Sequence, residues 1–403
     1  MKNISIIMGR GIEGCGVTKF TIEQCKYYDK HGYNYKVYAS KDKTWSRTKC
    51  HEVSNIGLLR FSNDDQVDNA IKDINESDVA IINSLPPISL QIEAVNNFKR
   101  MISEITVPIV LIQHDHNMIS IRRNAGLDEA LTAAKVVFAH STKSDFGIYA
   151  SEKVGSSVDL FGVNEGTAIL PFQPGMYFDE VKEQYWKESC ENQRHHKWIG
   201  RTTPWKGYAE MFIFHDEYLR PNNLLTTFEG IDRSPAMILF RELYEFEDHT
   251  RTRENPNTYD LSEAYGSLVQ IFGPYNHSEM LERMSNVGFG YQLSRMKERF
   301  IYRSIEYTHC EVVCTGTIPV FNKKYGDICI HRHYGKPLTE CDNSGTIWLD
   351  ENNFDAAFQQ ILEIKNNSKK REAMRNQAFE FYKLHQDADY TFKELMNNIE
   401  NEL

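Results

Sequence analysis

The chain has 403 residues, too many for one ordinary hydrophobic core and enough for two domains. Apolar residues make up 41% and charged residues 25%, an ordinary balance for a folded globular chain. A net charge of −10 argues against non-specific coating of nucleic acid while leaving room for a local basic face, and no apolar run approaches the roughly 18 residues that cross a bilayer.

The N-terminus, MKNISIIMGRG, has the form of a strand and a glycine loop, without the long apolar core and small-residue cleavage site of a secretion signal. Gly9, Gly11 and Gly14 fit G-x-G-x-x-G between a strand over 4–8 and a helix over 17–32 that ends at Gly32. Such glycines let a phosphate or sugar approach the backbone at a helix N-terminus. A dinucleotide site would further need an acid at the end of the second strand (33–39). Asp42 is the only nearby acid, and Lys41 and Lys43 flank it.

Lys41, Lys43, Arg47 and Lys49 surround Trp45. Basic residues interleaved with an aromatic suit a phosphate backbone and a displaced base, and they equally suit a solvated loop. Apolar runs at 79–84, 108–116 and 135–141 each enter polar residues, the form of buried parallel strands whose ligands sit at their carboxyl ends. The second run ends in Gln113-His114-Asp115-His116. Metal binding there would need a further ligand cluster with suitable spacing, and none is evident. The segment is better suited to hydrogen bonding and acid–base work by His114 and Asp115 in a cleft, with a satisfied strand-end histidine as the bland alternative. Arg122 and Arg123 follow it. Eight cysteines without a C-x-x-C give no zinc or disulfide framework and fit a reducing cytoplasm.

Residues 155–180 carry glycine, proline and weak periodicity, the expected linker. A second alternating set runs through 197–202, 268–275, 288–294, 317–322 and 346–350. Residues 219–267 are polar and show no clear element, and 369–398 are helical and amphipathic.

Two segments of this second half carry chemistry. WIGRTTPWKG (198–207) places Arg201 and Lys206 on one loop after a short apolar strand. Arginine can grip two phosphate oxygens and lysine adds a compact charge, although solvated loop cations are the common explanation of such a pair. EVVCTGTIPV (311–320) places Glu311 on a helix before a Gly-Thr turn and a buried strand. A carboxylate there can accept both hydroxyls of a ribose. Glu306 lies five residues earlier and shares that helix face poorly. Were the helix to start between them, Glu306 would sit in the turn above and could reach a sugar. Two cations and a carboxylate at strand ends fit a diphosphate and a ribose, and hence a sugar nucleotide.

With these segments the chain resembles retaining glycosyltransferases of the GT-B type, and among them the DNA α-glucosyltransferases of T-even bacteriophages. The matching stretches are 8–20, 113–116, 198–207, 233–236, 278–294 and 305–321. The resemblance implies an α/β fold of two Rossmann-like domains facing across a cleft. Residues 1–170 would bind the acceptor DNA, 171–380 the nucleotide sugar, and a helix over 381–403 would return to the first domain. It implies transfer of glucose from UDP-glucose to 5-hydroxymethylcytosine in double-stranded DNA, with base flipping and retention at the anomeric carbon. No metal or other cofactor and no membrane are expected, and the setting would be the cytoplasm of the infected bacterial host.

The donor would be held by Gly14 and Gly16, by Arg201 and Lys206 on the diphosphate, by Glu311 on the ribose, and by Gly316 and Thr317. Many relatives of this type place a sugar-binding Glu eight residues before the ribose Glu. Arg303 stands there, and Glu306 is the substitute. Asp115 and His114 would be catalytic, and Lys41, Lys43, Trp45, Arg47, Lys49, Arg122 and Arg123 would meet DNA. The alternatives are the same fold moving another sugar such as a pentose, a glycan glycosyltransferase, a binding protein without turnover, and a nicotinamide oxidoreductase built on the Gly9–Gly14 loop.

Overall fold

The computed structural model describes residues 2–11, 16–41, 55–114, 124–140, 167–187, 194–200, 206–230, 258–259, 268–272, 277–294 and 305–403. They form two compact units, one from the described residues within 2–176 together with 388–403, the other from those within 177–294 together with 305–387.

The first unit runs β1 (Asn3–Met8), α1 (Gly16–His31), β2 (Asn34–Ser40), β3 (Ile56–Leu59), α2 (Asp64–Ile74), β4 (Val79–Ser84), α3 (Ile92–Glu104), β5 (Ile109–Gln113), α4 (Leu127–Ala133), β6 (Ala134–Ala139) and β7 (Ala168–Pro171). Its sheet is parallel throughout, in the order β3-β2-β1-β4-β5-β6-β7. The central strands are near-continuous apolar runs, with Ile6, Ile7, Ile81, Ile82, Val110 and Leu111 at 0% exposure, because helices cover both faces. Local chemistry sets the helix starts. At α2 the Asn63 side chain accepts the Gln66 N–H, and Asp64 and Asp65 in the first turn meet the positive end of the helix dipole.

The second unit runs α5 (Phe178–Tyr185), β8 (His195–Ile199), α6 (Tyr208–Phe214), β9 (Leu225–Glu229), β10 (Thr258–Tyr259), β11 (Val269–Phe272), α7 (His277–Met284), β12 (Phe289–Gln292), α8 (Tyr307–Cys314), β13 (Ile318–Asn322), α9 (Lys323–Ile328), β14 (Ile347–Leu349), α10 (Phe354–Lys365) and α11 (Ser368–Gln386). The strand order is β10-β11-β9-β8-β12-β13-β14, parallel except for β10. Trp198, Phe228, Phe289, Tyr291 and Val320 pack in its core, and the Phe212 ring stacks on Phe228 at 3.8 Å. Each such buried aromatic side chain stabilises the fold by about 1.5–3 kcal/mol relative to exposure.

The last helix, α12 (Ala388–Glu402), belongs to the first unit. Its Phe392 ring meets Phe20 of α1 edge-on at 5.2 Å, and the Tyr28 hydroxyl donates to Met396 Sδ at 3.3 Å. The amphipathic stretch 369–398 is therefore two helices. Asp387 is extended (φ −59°, ψ 138°) and breaks it, while Tyr382 and His385 of α11 are buried in the second unit. Residues 381–386 thus stay with the second unit.

The expected linker also needs correction. Within 155–180 lie β7, which pairs with β6, and the start of α5. β7 is a four-residue edge strand, half-buried along its length, so it carries no apolar alternation. In the polar stretch 219–267, Leu-Thr-Thr-Phe-Glu forms β9, paired on both sides. Its threonines are β-branched and buried, which suits a strand better than their polarity indicates.

Candidate active site

In the second sheet β8 and β12 are neighbours, and the chain leaves them in opposite directions. β8 leads through α6 to β9 on one side, and β12 through α8 to β13 on the other. Ligands of open α/β sheets bind outside the carboxyl ends of strands at such a switch point. The first sheet has its own switch point between β1 and β4, where the backbone N–H of Gly9 donates to the Ser84 carbonyl (2.8 Å) and that of Arg10 to Ser84 Oγ (3.2 Å).

Lys206 and Glu306 meet at the second switch point. Gly207 caps α6 at φ 69°, a left-handed conformation, and a Cβ there would lie 2.4 Å from the Leu293 carbonyl oxygen. Glycine thus lets the loop after β8 press against the end of β12. The Trp198 indole N–H donates to the Lys206 carbonyl (3.2 Å), fixing the backbone from below. Lys206 Nζ pairs with Glu306 Oε2 and donates to Ser294 Oγ at 3.2 Å. The Ser294 hydroxyl lies 2.9 Å from both Glu306 Oε2 and Gln292 Oε1, so its single proton serves one of them at a time. Gln292 in turn donates to Thr308 Oγ1.

The helix starts at Tyr307, between the two glutamates, with Glu306 as its N-cap in extended conformation. Burial alone would raise the Glu306 carboxyl. The Lys206 charge and the bonds from Lys206 and Ser294 outweigh it and hold the group at about 2. Glu306 is therefore ionised at neutral pH.

Glu311, one turn further along α8, is buried, and its Oε1 faces His277 Nε2 at the start of α7. Gly316 and Thr317 lie at the other end of this helix, where the Gly316 carbonyl and the Thr317 hydroxyl bond to the protein. Gly316 is left-handed (φ 76°), its carbonyl accepts Arg375 Nε, and a Cβ there would strike the Arg375 guanidinium and the Trp186 ring. The Thr317 hydroxyl donates to the Met284 carbonyl at 2.9 Å. Both residues close the helix and launch β13.

Beside this group the buried Lys197 and Glu229 pair across β8 and β9, and Glu229 Oε1 also accepts from Arg283 Nε at 3.1 Å. Burial lowers the Lys197 pKa, and Glu229 opposes the shift.

In the first unit His114 follows β5. Its ring lies edge-on to Phe20 (4.8 Å) and Phe172 (5.2 Å), with the His140 ring 6.3 Å away. Nε2 is buried with no hydrogen-bond partner. Burial, with His140 and Arg10 nearby, holds the pKa well below 6.5, so the imidazole is neutral and suited to one directed hydrogen bond rather than to carrying charge. Lys41 is exposed just after β2, and Gly16 is the exposed first residue of α1. Gly14, Lys43, Trp45, Arg47, Lys49, Asp115, Arg122, Arg123 and Arg201 lie outside the described residues. Ser294, His277 and His309, which join or adjoin the site, were not singled out from sequence. Ser294 ends an apolar run, as His114 does, and that was the available signal. Among the described residues no three His, Cys, Asp or Glu side chains converge as metal ligands, and no helix is long and apolar enough to cross a membrane.

Two Rossmann-type units form the architecture of the GT-B glycosyltransferases, and the second unit here carries the Lys206–Glu306 pair at its switch point. The family model for DNA alpha-glucosyltransferase matches residues 15–370. The DNA alpha-glucosyltransferase of Enterobacteria phage T4 is 40% identical over 396 residues, covering 97% of this chain and 98% of its own. An alpha-glucosyltransferase structure in complex with UDP-glucose and DNA containing an abasic site superposes with a TM-score of 0.87 at 38% identity, covering 98% of this chain and 99% of that one. Another, with UDP and a 13-mer DNA containing an HMU base, gives a TM-score of 0.87 at 38% identity and 98% coverage of each chain. The chain belongs to the DNA alpha-glucosyltransferase family.

Proposed function

We propose that this protein transfers glucose from UDP-glucose to 5-hydroxymethylcytosine in duplex DNA, with retention at the anomeric carbon, in the cytoplasm of a phage-infected bacterium. The observation that carries the reading is the Lys206–Ser294–Glu306 group at the β8/β12 switch point, in a chain related over 97% of its length to a T4 enzyme of that name. In this reading the second unit holds the donor. Lys206 and Arg201 meet the diphosphate, Glu311 accepts the ribose hydroxyls with His277 orienting it, and Glu306 reaches the sugar. The first unit holds the DNA through Lys41, Lys43, Trp45, Arg47, Lys49, Arg122 and Arg123, with Gly14 and Gly16 beside the diphosphate and sugar.

The acceptor hydroxyl belongs to a base inside a duplex, so the base must leave the stack to reach the donor. Attack then occurs on the face the leaving group departs from. The bond from the hydroxymethyl oxygen to the anomeric carbon forms, and the bond from that carbon to the phosphate oxygen breaks. UDP leaves with the electron pair and receives the acceptor proton. Negative charge grows on the diphosphate, and fixed cations are best placed to stabilise it. Asp115 and His114 position the acceptor hydroxyl, the neutral imidazole by a single hydrogen bond. Glucose incorporation from UDP-glucose into duplexes with and without hydroxymethylated cytosine tests the reading.

A further inference from the structure

His309 stands three residues into the turn that Glu306 caps, and its backbone N–H donates to the Glu306 carbonyl at 3.0 Å. Its ring is fully buried, stacked on Tyr325 (4.6 Å between centroids) and edge-on to Phe321 (4.5 Å). Neither ring nitrogen has a well-formed hydrogen bond, the Glu306 carbonyl nearby being a weak acceptor at best. A neutral imidazole has one N–H and one lone pair, and burying them so poorly satisfied is unfavourable. A leucine or phenylalanine would fill the same space without that cost. The ring also lies within electrostatic range of both Glu306 and Lys206. This combination makes sense if the imidazole acquires its partner in another state of the site.

The charges identify that state. Glu306 here has Lys206 and Ser294 as partners. A nucleoside diphosphate bound at the switch point draws Lys206 to itself. Glu306 then keeps the Ser294 hydroxyl alone, next to a new anion. We propose that His309 is a positioning residue that takes over the Glu306 carboxylate when Lys206 turns to the donor's diphosphate, keeping Glu306 aimed at the sugar. The inference rests on the donor-site reading above.

A double-mutant cycle tests it, with kcat and KM for UDP-glucose measured on hydroxymethylated duplex and UDP affinity measured by calorimetry. His309→Leu should lower kcat/KM by about tenfold and weaken UDP by less than about threefold, because UDP also draws Lys206 from Glu306 but carries no glucosyl group for Glu306 to hold. His309→Asn, which keeps an N–H donor, should recover to within about threefold of wild type. In a Glu306→Gln background His309→Leu should add less than about twofold. Equal losses in both backgrounds, a parallel loss of UDP affinity, or a wild-type kcat/KM in the Leu variant would overturn the proposal. His309→Phe repeats the cycle if the Leu variant does not fold. A wild-type protein that binds UDP but transfers no glucose overturns the function itself, and with it this inference. The inference alone fails if wild type transfers glucose and the cycle is additive.

Discussion

Lys206 is the described residue on which the proposed chemistry leans most. It is held from beneath by Trp198, forced against β12 by the left-handed Gly207, and balanced by an ionised Glu306. With its backbone fixed in this way, a Lys206 side chain that has turned from Glu306 onto a bound donor is already in place when charge develops on the departing diphosphate. Lys206→Ala should therefore lower kcat by a factor of about a hundred or more, as the loss of one preorganised charge-stabilising group does elsewhere. Near-native kcat in that variant, measured by glucose incorporation, would remove Lys206 from the reaction. The motif around Lys206 was visible in sequence because glycine, cation and strand end occur together within ten residues. Glu306 was legible as a sugar-binding candidate, but its pairing with Lys206 and the part played by Ser294 were not. Ser294 and Glu306 reach Lys206 across 88 and 100 residues of chain, and no local spacing encodes such a meeting.

At the scale of elements, the sheets were legible where strands are buried on both faces, since a continuous apolar run is then unavoidable. β1, β4, β5, β6, β12 and β13 all show it. β7 at a sheet edge and the threonine-rich β9 do not, because an edge strand needs no apolar face and buried threonine is polar in composition only. β9 also carries a buried charge. Glu229 lies between Lys197 and Arg283 at 0% exposure. Pairs of this kind cost much in desolvation and little survives as net stability, but removing one partner strands the other. Glu229→Ala should thus destabilise the fold by about 3–5 kcal/mol in denaturant unfolding, whereas replacing Lys197 and Glu229 together by methionine and leucine should cost far less. A loss below about 1 kcal/mol for the single change would mean that Lys197 finds other solvation.

At the scale of the whole molecule, both units share one plan, and both place polar residues at the ends of the strands flanking their switch points. The interior also contains an unusual number of neutral histidines. Burial pushes His195 and His215 down to about 4 and His309 to about 3, and holds His114, His196 and His385 well below 6.5. Between pH 6.5 and these values the unfolded chain binds protons that the folded chain does not. Stability must therefore fall as pH drops below 6.5. Glu306, held at about 2, adds to this below pH 4.5, where the unfolded carboxyl protonates first. Urea midpoints at pH 7, 6 and 5 should decrease in that order, and a flat series would show that the histidines titrate in place.

The architecture and the donor chemistry meet in one reaction, and its product is the direct test. Duplex DNA with 5-hydroxymethylcytosine and a matched unmodified duplex are incubated with labelled UDP-glucose, digested to nucleosides, and the glycosidic linkage determined. The account predicts label on the hydroxymethylated duplex alone, as an α-linked glucose on the hydroxymethyl oxygen. A β-linked product, equal labelling of both duplexes, or no label from UDP-glucose would contradict it.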